Sequence, residues 1–199
     1  MKIIDCIQKS DEWYRARLGK LTASNFDKVL SDGTGRKTYM LELAAERLTD
    51  LCQKSFTNEA MEWGVLTEAE AREYYSEVYG EVKEIGFVEL DEWVGASPDG
   101  LVGDDGLLEI KCPNSTTHIE NILANKMPTK YRAQVQGQLW VCERQWCDFV
   151  SFDPRVASRP FWTTRITRDD KYISDLANGV EAFVSELKTI IDEIKVGPF

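Results

Sequence analysis

Histidine is almost missing from this chain: His118 stands alone among 199 residues. That leaves little room for a histidine-based triad and none for a His-rich zinc site, and His118 is expected on a helix surface. Cysteine is sparse as well. Cys6, Cys52, Cys112, Cys142 and Cys147 are odd in number and contain no Cys-x-x-Cys pair, which argues against a disulfide framework and against a zinc or iron-sulfur cluster. They are expected to be reduced, mostly packed thiols. No segment approaches the roughly 18 consecutive apolar residues that span a bilayer. The opening MKIIDCIQKSDEW lacks the apolar stretch and small-residue cleavage site of a signal peptide, so a cytoplasmic protein is expected. Repeats, low-complexity tracts and Gly/Ser/Pro linkers are also missing, and with 43% hydrophobic residues the chain can bury one good core, so a single domain over residues 1–199 is expected. Basic charge is in short supply too. Twenty-four Lys and Arg against 34 Asp and Glu give a net charge of -10, which in bulk would repel nucleic acid. A metal-dependent site needs carboxylates of its own, however, and a few clustered Arg and Lys can still hold phosphates.

The apolar periodicity predicts helices over Thr22–Leu30, Tyr39–Cys52 (with Leu41, Ala44, Ala45 and Leu48 on one face) and Glu59–Tyr79. Strands are expected over Lys83–Leu90, Glu92–Val102 and Leu107–Cys112, the last two joined by the turn Gly103–Gly106. Helices over 115–126 and 129–143 lead to strands Trp146–Phe152 and Phe161–Thr167, and a helix from Asp169 to Lys195 closes the chain. Its apolar series Ile173, Leu176, Val180, Phe183, Leu187, Ile190 and Ile194 fits packing on the protein's own sheet, with self-association as the lesser reading. Interleaved strands and helices with a central hairpin give an α/β domain, a mixed sheet flanked by helices.

Chemistry concentrates in ASPDGLVGDDGLLEIKC, from Ala96 to Cys112. A period of two puts Leu107, Glu109 and Lys111 on one strand face and Leu108, Ile110 and Cys112 on the other. A hairpin pairing Val102 with Leu107 would set Asp99 opposite Ile110, nominally facing away from Glu109, unless a bulge or a break at Pro98 and Gly100 turns it round. Taken alone, Glu-x-Lys fits the polar face of an edge strand, and Asp-Gly an ordinary turn. Flanked by Trp93, Val102, Leu108 and Ile110, the strand instead looks interior, where charges are costly unless paired or bound to metal. Two carboxylates offer hard oxygen ligands suited to Mg²⁺, and a neighbouring lysine can hold or help deprotonate a metal-bound water.

Ser-Pro-Asp-Gly followed by Glu-Ile-Lys resembles the active-site signature of the PD-(D/E)XK nuclease superfamily. More narrowly, SPDGL...LEIKCP followed by YRAQVQGQLW resembles the phage lambda exonuclease type, the YqaJ-like viral recombinase family. WYRARLGKLTAS (Trp13 to Ser24), WGVLTEAEAR (Trp63 to Arg72) and the strand ending Phe152-Asp-Pro154 are similar to that family's blocks in the same order. Four ordered blocks are far more specific than any one of them.

The resemblance implies a restriction-endonuclease-like fold and a Mg²⁺-dependent exonuclease, with Mn²⁺ able to substitute. Its substrate would be linear double-stranded DNA, degraded 5′ to 3′ to mononucleotides, leaving a 3′ single strand for a recombinase or single-strand annealing partner in phage-type recombination within a bacterial host. It implies metal binding by Asp99, Glu109, Glu68 and the Ile110 carbonyl, and water activation by Lys111, whereas Glu68 on its own residues reads as a solvated carboxylate paired with Arg72. Tyr131 and Gln134 would point into the site; by spacing alone Tyr131, Gln134 and Gln138 form a polar stripe beside the apolar Val135, Leu139 and Cys142, and the family pattern selects Gln134, not Gln136 or Gln138. Arg17, Ser24 and Ser97 would hold the DNA 5′ phosphate, where the residues alone fit a helix capped by Thr22 equally well. A ring-shaped trimer around DNA is implied, with no membrane partner. Two alternatives are another endonuclease or repair nuclease of the superfamily, and a DNA- or partner-binding domain with a decayed site.

Overall fold

The computed structural model describes residues 1–52 and 59–197. Two mixed sheets form its frame, where the sequence suggested one. The smaller sheet has the order β1-β4-β5-β2, from β1 (Lys2–Ile4), β2 (Leu21–Thr22), β4 (Phe87–Glu89) and β5 (Val94–Ala96). The larger has the order β3-β6-β7-β8-β9, from β3 (Val82–Lys83), β6 (Gly100–Val102), β7 (Gly106–Lys111), β8 (Trp146–Phe152) and β9 (Phe161–Thr167). Around them lie α1 (Asp11–Arg17), α2 (Phe26–Val29), α3 (Thr34–Thr49), α4 (Glu59–Tyr79), α5 (Ser115–Ala124), α6 (Arg132–Val141) and α7 (Asp170–Val196).

The two expected long strands are each cut in two. Lys83–Leu90 divides at Gly86, where a Cβ would lie 2.4 Å from the Cys6 carbonyl oxygen, so β3 and β4 enter different sheets. Glu92–Val102 divides at Pro98, sending β5 and β6 into different sheets. The Thr22–Leu30 segment is a 3-10 turn, Ala23–Asn25, running into the four residues of α2. The Thr22 side chain caps nothing there. Helix α3 starts earlier than expected and ends at Asp50, which is left-handed at φ 55°. It buries Tyr39, Met40, Leu43 and Ala44, while Leu41 and Leu48 face solvent, because Phe183 of α7 packs against the Tyr39 side of the helix.

Strand β7 lies at the centre of its sheet, antiparallel to β6 and parallel to β8. Its alternation separates two cores. Leu107 joins Phe149, Val135, Leu139 and the apolar face of α7, whereas Leu108 and Ile110 join Ala71 and Tyr75 of α4. Helix α7 packs mainly on α2, α3 and α6, shares one buried cluster with sheet residues such as Leu107 and Phe149, and buries Ile191 where Ile194 turns outward. His118 is fully buried rather than superficial: Nδ1 bonds Ser151 Oγ and Nε2 bonds the Arg159 carbonyl, both at 2.9 Å. These two bonds offset the cost of hiding an imidazole.

Candidate active site

The β6–β7 turn sets the register of the Asp-Glu-Lys segment. Gly103, left-handed at φ 52°, begins a turn one residue shorter than expected, so Val102 pairs with Gly106 and Gly100 with Leu108. Gly106 belongs to β7, where a Cβ would meet the Trp146 ring at 2.3 Å. Carried on by one residue, this register brings Asp99 level with Glu109 instead of Ile110. The end of the strand at Pro98 supplies the rest. The Pro98 carbonyl accepts from Gln8 Nε2 at 2.9 Å, and the Ile110 amide donates to Asp99 Oδ2 at 2.6 Å. Asp99 is thereby fixed at the C-terminal end of the central strand.

Glu109 has a side chain 1% exposed and carries a buried charge with three donors. Lys111 Nζ and Gln134 Nε2 (2.5 Å) meet Oε1, while Gln138 Nε2 meets Oε2 at 2.6 Å. Both glutamines lie on α6 one turn apart, so one helix face clasps the carboxylate. The Lys111 ammonium lies 5.2 Å from the centre of the Tyr131 ring. Burial pulls the Lys111 pKa down, but Glu109 and Asp99 outweigh it and hold the group protonated. Asp99 shows the converse: burial first, then the charges of Glu109 and Glu68, push its pKa well above the usual carboxylate range.

Glu68 approaches this cluster from α4 but is engaged elsewhere. Its Oε1 accepts from Arg72 Nη2 at 2.8 Å and its Oε2 from Lys9 Nζ at 3.0 Å, while Arg72 Nε donates to the Asp99 carbonyl at 3.1 Å. Glu70 and Glu73 point to solvent. Among the described residues no three His, Cys, Asp or Glu side chains converge as a metal-ligand set. The donor chemistry nevertheless suits a hard divalent cation: oxygen ligands, an excess of negative charge at one buried point, and a third carboxylate held by exchangeable ion pairs.

A second cluster adjoins the first through Ser97, two residues before Asp99. Ser97 Oγ accepts from Arg17 Nη1 at 3.0 Å and from Trp13 Nε1 at 2.9 Å. Arg17 also stacks 4.1 Å from the centre of the Trp13 ring and donates to Thr22 Oγ1 at 3.4 Å. Burial lowers its pKa to about 10, against small opposing effects of Tyr39 and Tyr14. Ser24 is exposed and reaches this cluster through Thr22 Oγ1, 3.2 Å away. A desolvated guanidinium whose partners are hydroxyls and a ring face keeps its charge available to an anion. Arg15 is exposed.

The structure thus brings together Asp99, Glu109, Lys111, Gln134 and Tyr131, and separately Arg17 and Ser97, with Ser24 at the margin and Glu68 on the flank. Sequence reasoning passed over Trp13, Thr22 and Gln138. Gln138 was legible as the residue one helical turn beyond Gln134 on the same stripe. A groove of about 560 Å³ lined by Lys20, Arg47, Trp93 and Lys188 lies against α3 and α7 and contains none of these residues.

Comparison with known proteins bears on the family and the fold. Curated protein sequences give no match. An alkaline exonuclease from Laribacter hongkongensis, LHK-Exo, superposes with a TM-score of 0.87 at 44% identity, covering 94% of this chain and 96% of that one. Its complex with dAMP superposes at 0.88 with the same identity and coverage. A phage-related exonuclease from Haemophilus somnus 129PT, at 18% identity and TM-score 0.66, covers 88% of this chain and 96% of its own, and shares the fold. The family model of the YqaJ-like viral recombinase domain matches residues 12–145, which include both clusters, and the chain belongs to that family.

Proposed function

We propose that the protein is a Mg²⁺-dependent exonuclease of the PD-(D/E)XK type that degrades linear double-stranded DNA from the 5′ end. The observation that carries this reading is the buried Asp99–Glu109–Lys111 cluster joined through Ser97 to the Arg17 cluster. A receptor for a terminal phosphate thus lies beside a point where carboxylates and a lysine meet. Membership of the family and 44% identity to an alkaline exonuclease with a dAMP complex support it, since dAMP is a mononucleotide of the kind the reaction would release.

Asp99, Glu109, the Ile110 carbonyl and Glu68, once exchanged from Arg72 and Lys9, would hold the metal; Mn²⁺ offers the same coordination. Bound Mg²⁺ would supply Lewis-acid stabilisation of the charge that builds on the phosphate and the departing 3′ oxygen. Lys111, held protonated by Glu109 and Asp99, would orient the attacking water and offset charge building on the phosphate. Gln134 can bridge that water and a phosphate oxygen without changing charge, and the Tyr131 ring confines the lysine. Arg17, Ser97 and Ser24 grip the 5′ phosphate and set the register of cleavage, so that geometry supplies much of the rate.

The product would be 5′ mononucleotides and a 3′ single strand, ready for an annealing or recombinase protein in a bacterial cytoplasm. A ring trimer around DNA reconciles a net charge of -10 with DNA binding, because only the channel must be basic. The decisive experiment incubates end-labelled linear duplex with Mg²⁺ and follows which end is lost. Loss of the 5′ label, with closed circular DNA spared, is expected; cleavage of circles would mean an endonuclease, and no hydrolysis a decayed site. Sedimentation should show a species heavier than the 22.7 kDa chain.

A further inference from the structure

Glu109 is held from two sides with different consequences. Its Oε1 faces Lys111 and Gln134, the polar side of the cluster; its Oε2 faces Gln138, which is 1% exposed and donates at 2.6 Å. The carboxylate can only accept, so the orientation of the Gln138 amide is fixed by its partner. The other end of that amide is costly. Gln138 Oε1 is buried without a hydrogen-bond partner; an apolar residue of similar size would remove that orphan but leave Glu109 Oε2 without its donor. Gln136, two residues earlier and also buried, uses both ends of its amide: Nε2 donates to the Thr167 carbonyl and Oε1 accepts from the Asp169 amide, each at 2.9 Å, tying α6 to the start of α7. Gln136 is a structural amide, satisfied at both ends. Gln138 is half satisfied, and its one bond goes to the most buried charge of the site.

We infer that Gln138 is a positioning residue for the metal site: it anchors Glu109 Oε2 so that Oε1 is presented to the metal. The inference rests on the metal-dependent reading above. Partners of this kind, one step behind the ligands, set metal affinity, and their loss costs on the order of 10- to 100-fold in affinity or activity.

The test compares wild type, Gln138→Leu and Gln136→Leu in three measurements: Mg²⁺ affinity by calorimetry without DNA, the Mg²⁺ concentration for half-maximal hydrolysis of linear duplex, and the melting temperature. Gln138→Leu should weaken Mg²⁺ binding about tenfold or more and raise the half-saturating concentration in parallel. Its KM for DNA at saturating metal should stay near wild type, while its melting temperature should fall, because Glu109 Oε2 loses its donor. Gln136→Leu should lower the melting temperature as well but leave Mg²⁺ affinity alone. Should Gln138→Leu fail to fold, Gln138→Asn, which keeps the amide but falls one methylene short, serves the same comparison. A metal-dependent wild type whose Gln138 variant binds Mg²⁺ with unchanged affinity overturns this inference alone. Wild-type hydrolysis that needs no divalent ion overturns the inference and the reading beneath it together.

Discussion

Arg17 and Ser97, eighty residues apart in sequence, meet at 3.0 Å, and Ser97 lies two residues before Asp99. The link puts a guanidinium from α1 onto the same short segment that carries a candidate metal ligand. Because Trp13 also donates to Ser97 and stacks on Arg17, the contact is braced rather than incidental. A phosphate held by Arg17 would therefore lie at a distance from the carboxylates that the chain fixes through Pro98.

From this follows selectivity for the chemical state of the DNA end. A terminal 5′ phosphate carries more charge than an internal diester, and Arg17 can grip it with charge-assisted bonds. Wild type should degrade 5′-phosphorylated duplex faster than 5′-hydroxyl duplex. Arg17→Ala should slow the phosphorylated substrate roughly 10- to 100-fold, the equivalent of about 1.5–3 kcal/mol for bonds to a charged group, and leave the hydroxyl substrate nearly unchanged. Arg15→Ala, at an exposed position, is the control. A phosphate preference that survives Arg17→Ala and is lost in Arg15→Ala would reverse the residue assignment.

Lys111 and the two carboxylates should separate by role. Lys111→Ala removes a charge that orients the water and faces the phosphate, so kcat should fall about 10²- to 10³-fold while calorimetric Mg²⁺ affinity and DNA affinity persist. Asp99→Ala and Glu109→Ala should instead weaken Mg²⁺ binding itself. Unchanged metal affinity in either would remove that residue from the ligand set, and wild-type turnover in Lys111→Ala would remove the lysine from the chemistry.

Stability at acid pH should report on Asp153, which fastens the β8–β9 connection to the start of α5. Its carboxylate accepts from Ser115 Oγ at 2.7 Å and from Arg155 Nε at 2.8 Å. Burial would raise its pKa, but the bonds from Arg155 and Ser115 outweigh it and hold the pKa below the ordinary value of 3.8. A depressed carboxylate stabilises the fold above its unfolded pKa and loses that contribution as pH falls through the folded value. Asp153→Asn should thus cost about 1–3 kcal/mol at pH 7, with the gap to wild type narrowing below about pH 4. Urea melts at pH 7 and pH 3 that show an equal gap would refute the assignment.

Legibility in the sequence followed the range of the interaction that decides each element. Trp146–Phe152, Phe161–Thr167 and Glu59–Tyr79 were recovered to the residue, because their apolar periodicity runs unbroken. The strand Lys2–Ile4 was missed: three residues carry no period, and their pairing with Phe87–Glu89 is a partnership across the chain. The carboxylate-lysine cluster was visible as a spacing, but its facing depended on a turn one residue shorter than composition suggested. The bond from Gln138 to Glu109 and the burial of His118 were not legible, since a polar residue on a helix gives no sign of a buried partner about thirty residues away. The family resemblance located Gln134 and could not reach Gln138.

Helix α4 carries Glu68, and its hold on the sheet is polar at one point. Tyr75, 1% exposed, donates from its hydroxyl to Asp148 Oδ2 at 2.6 Å, and Arg165 grips both oxygens of the same carboxylate at 2.8 Å. Burial, then Asp148, pushes the phenol pKa far up, so the hydroxyl remains a donor at any working pH. Tyr75→Phe keeps the ring packed against Val102, Leu108 and Val150 and removes only the hydrogen bond. It should cost about 1.5–3 kcal/mol, as bonds to charged groups do, or a fall in melting temperature of about 2–4 °C for each kcal/mol in a chain of this size. Arg165→Ala removes a half-exposed partner and leaves Asp148 buried with the phenol alone. The double variant should therefore depart from the sum of the two singles, because both act on one carboxylate. Additive losses within about 0.3 kcal/mol would mean that Tyr75 and Arg165 hold α4 independently, and that Asp148 does not join them.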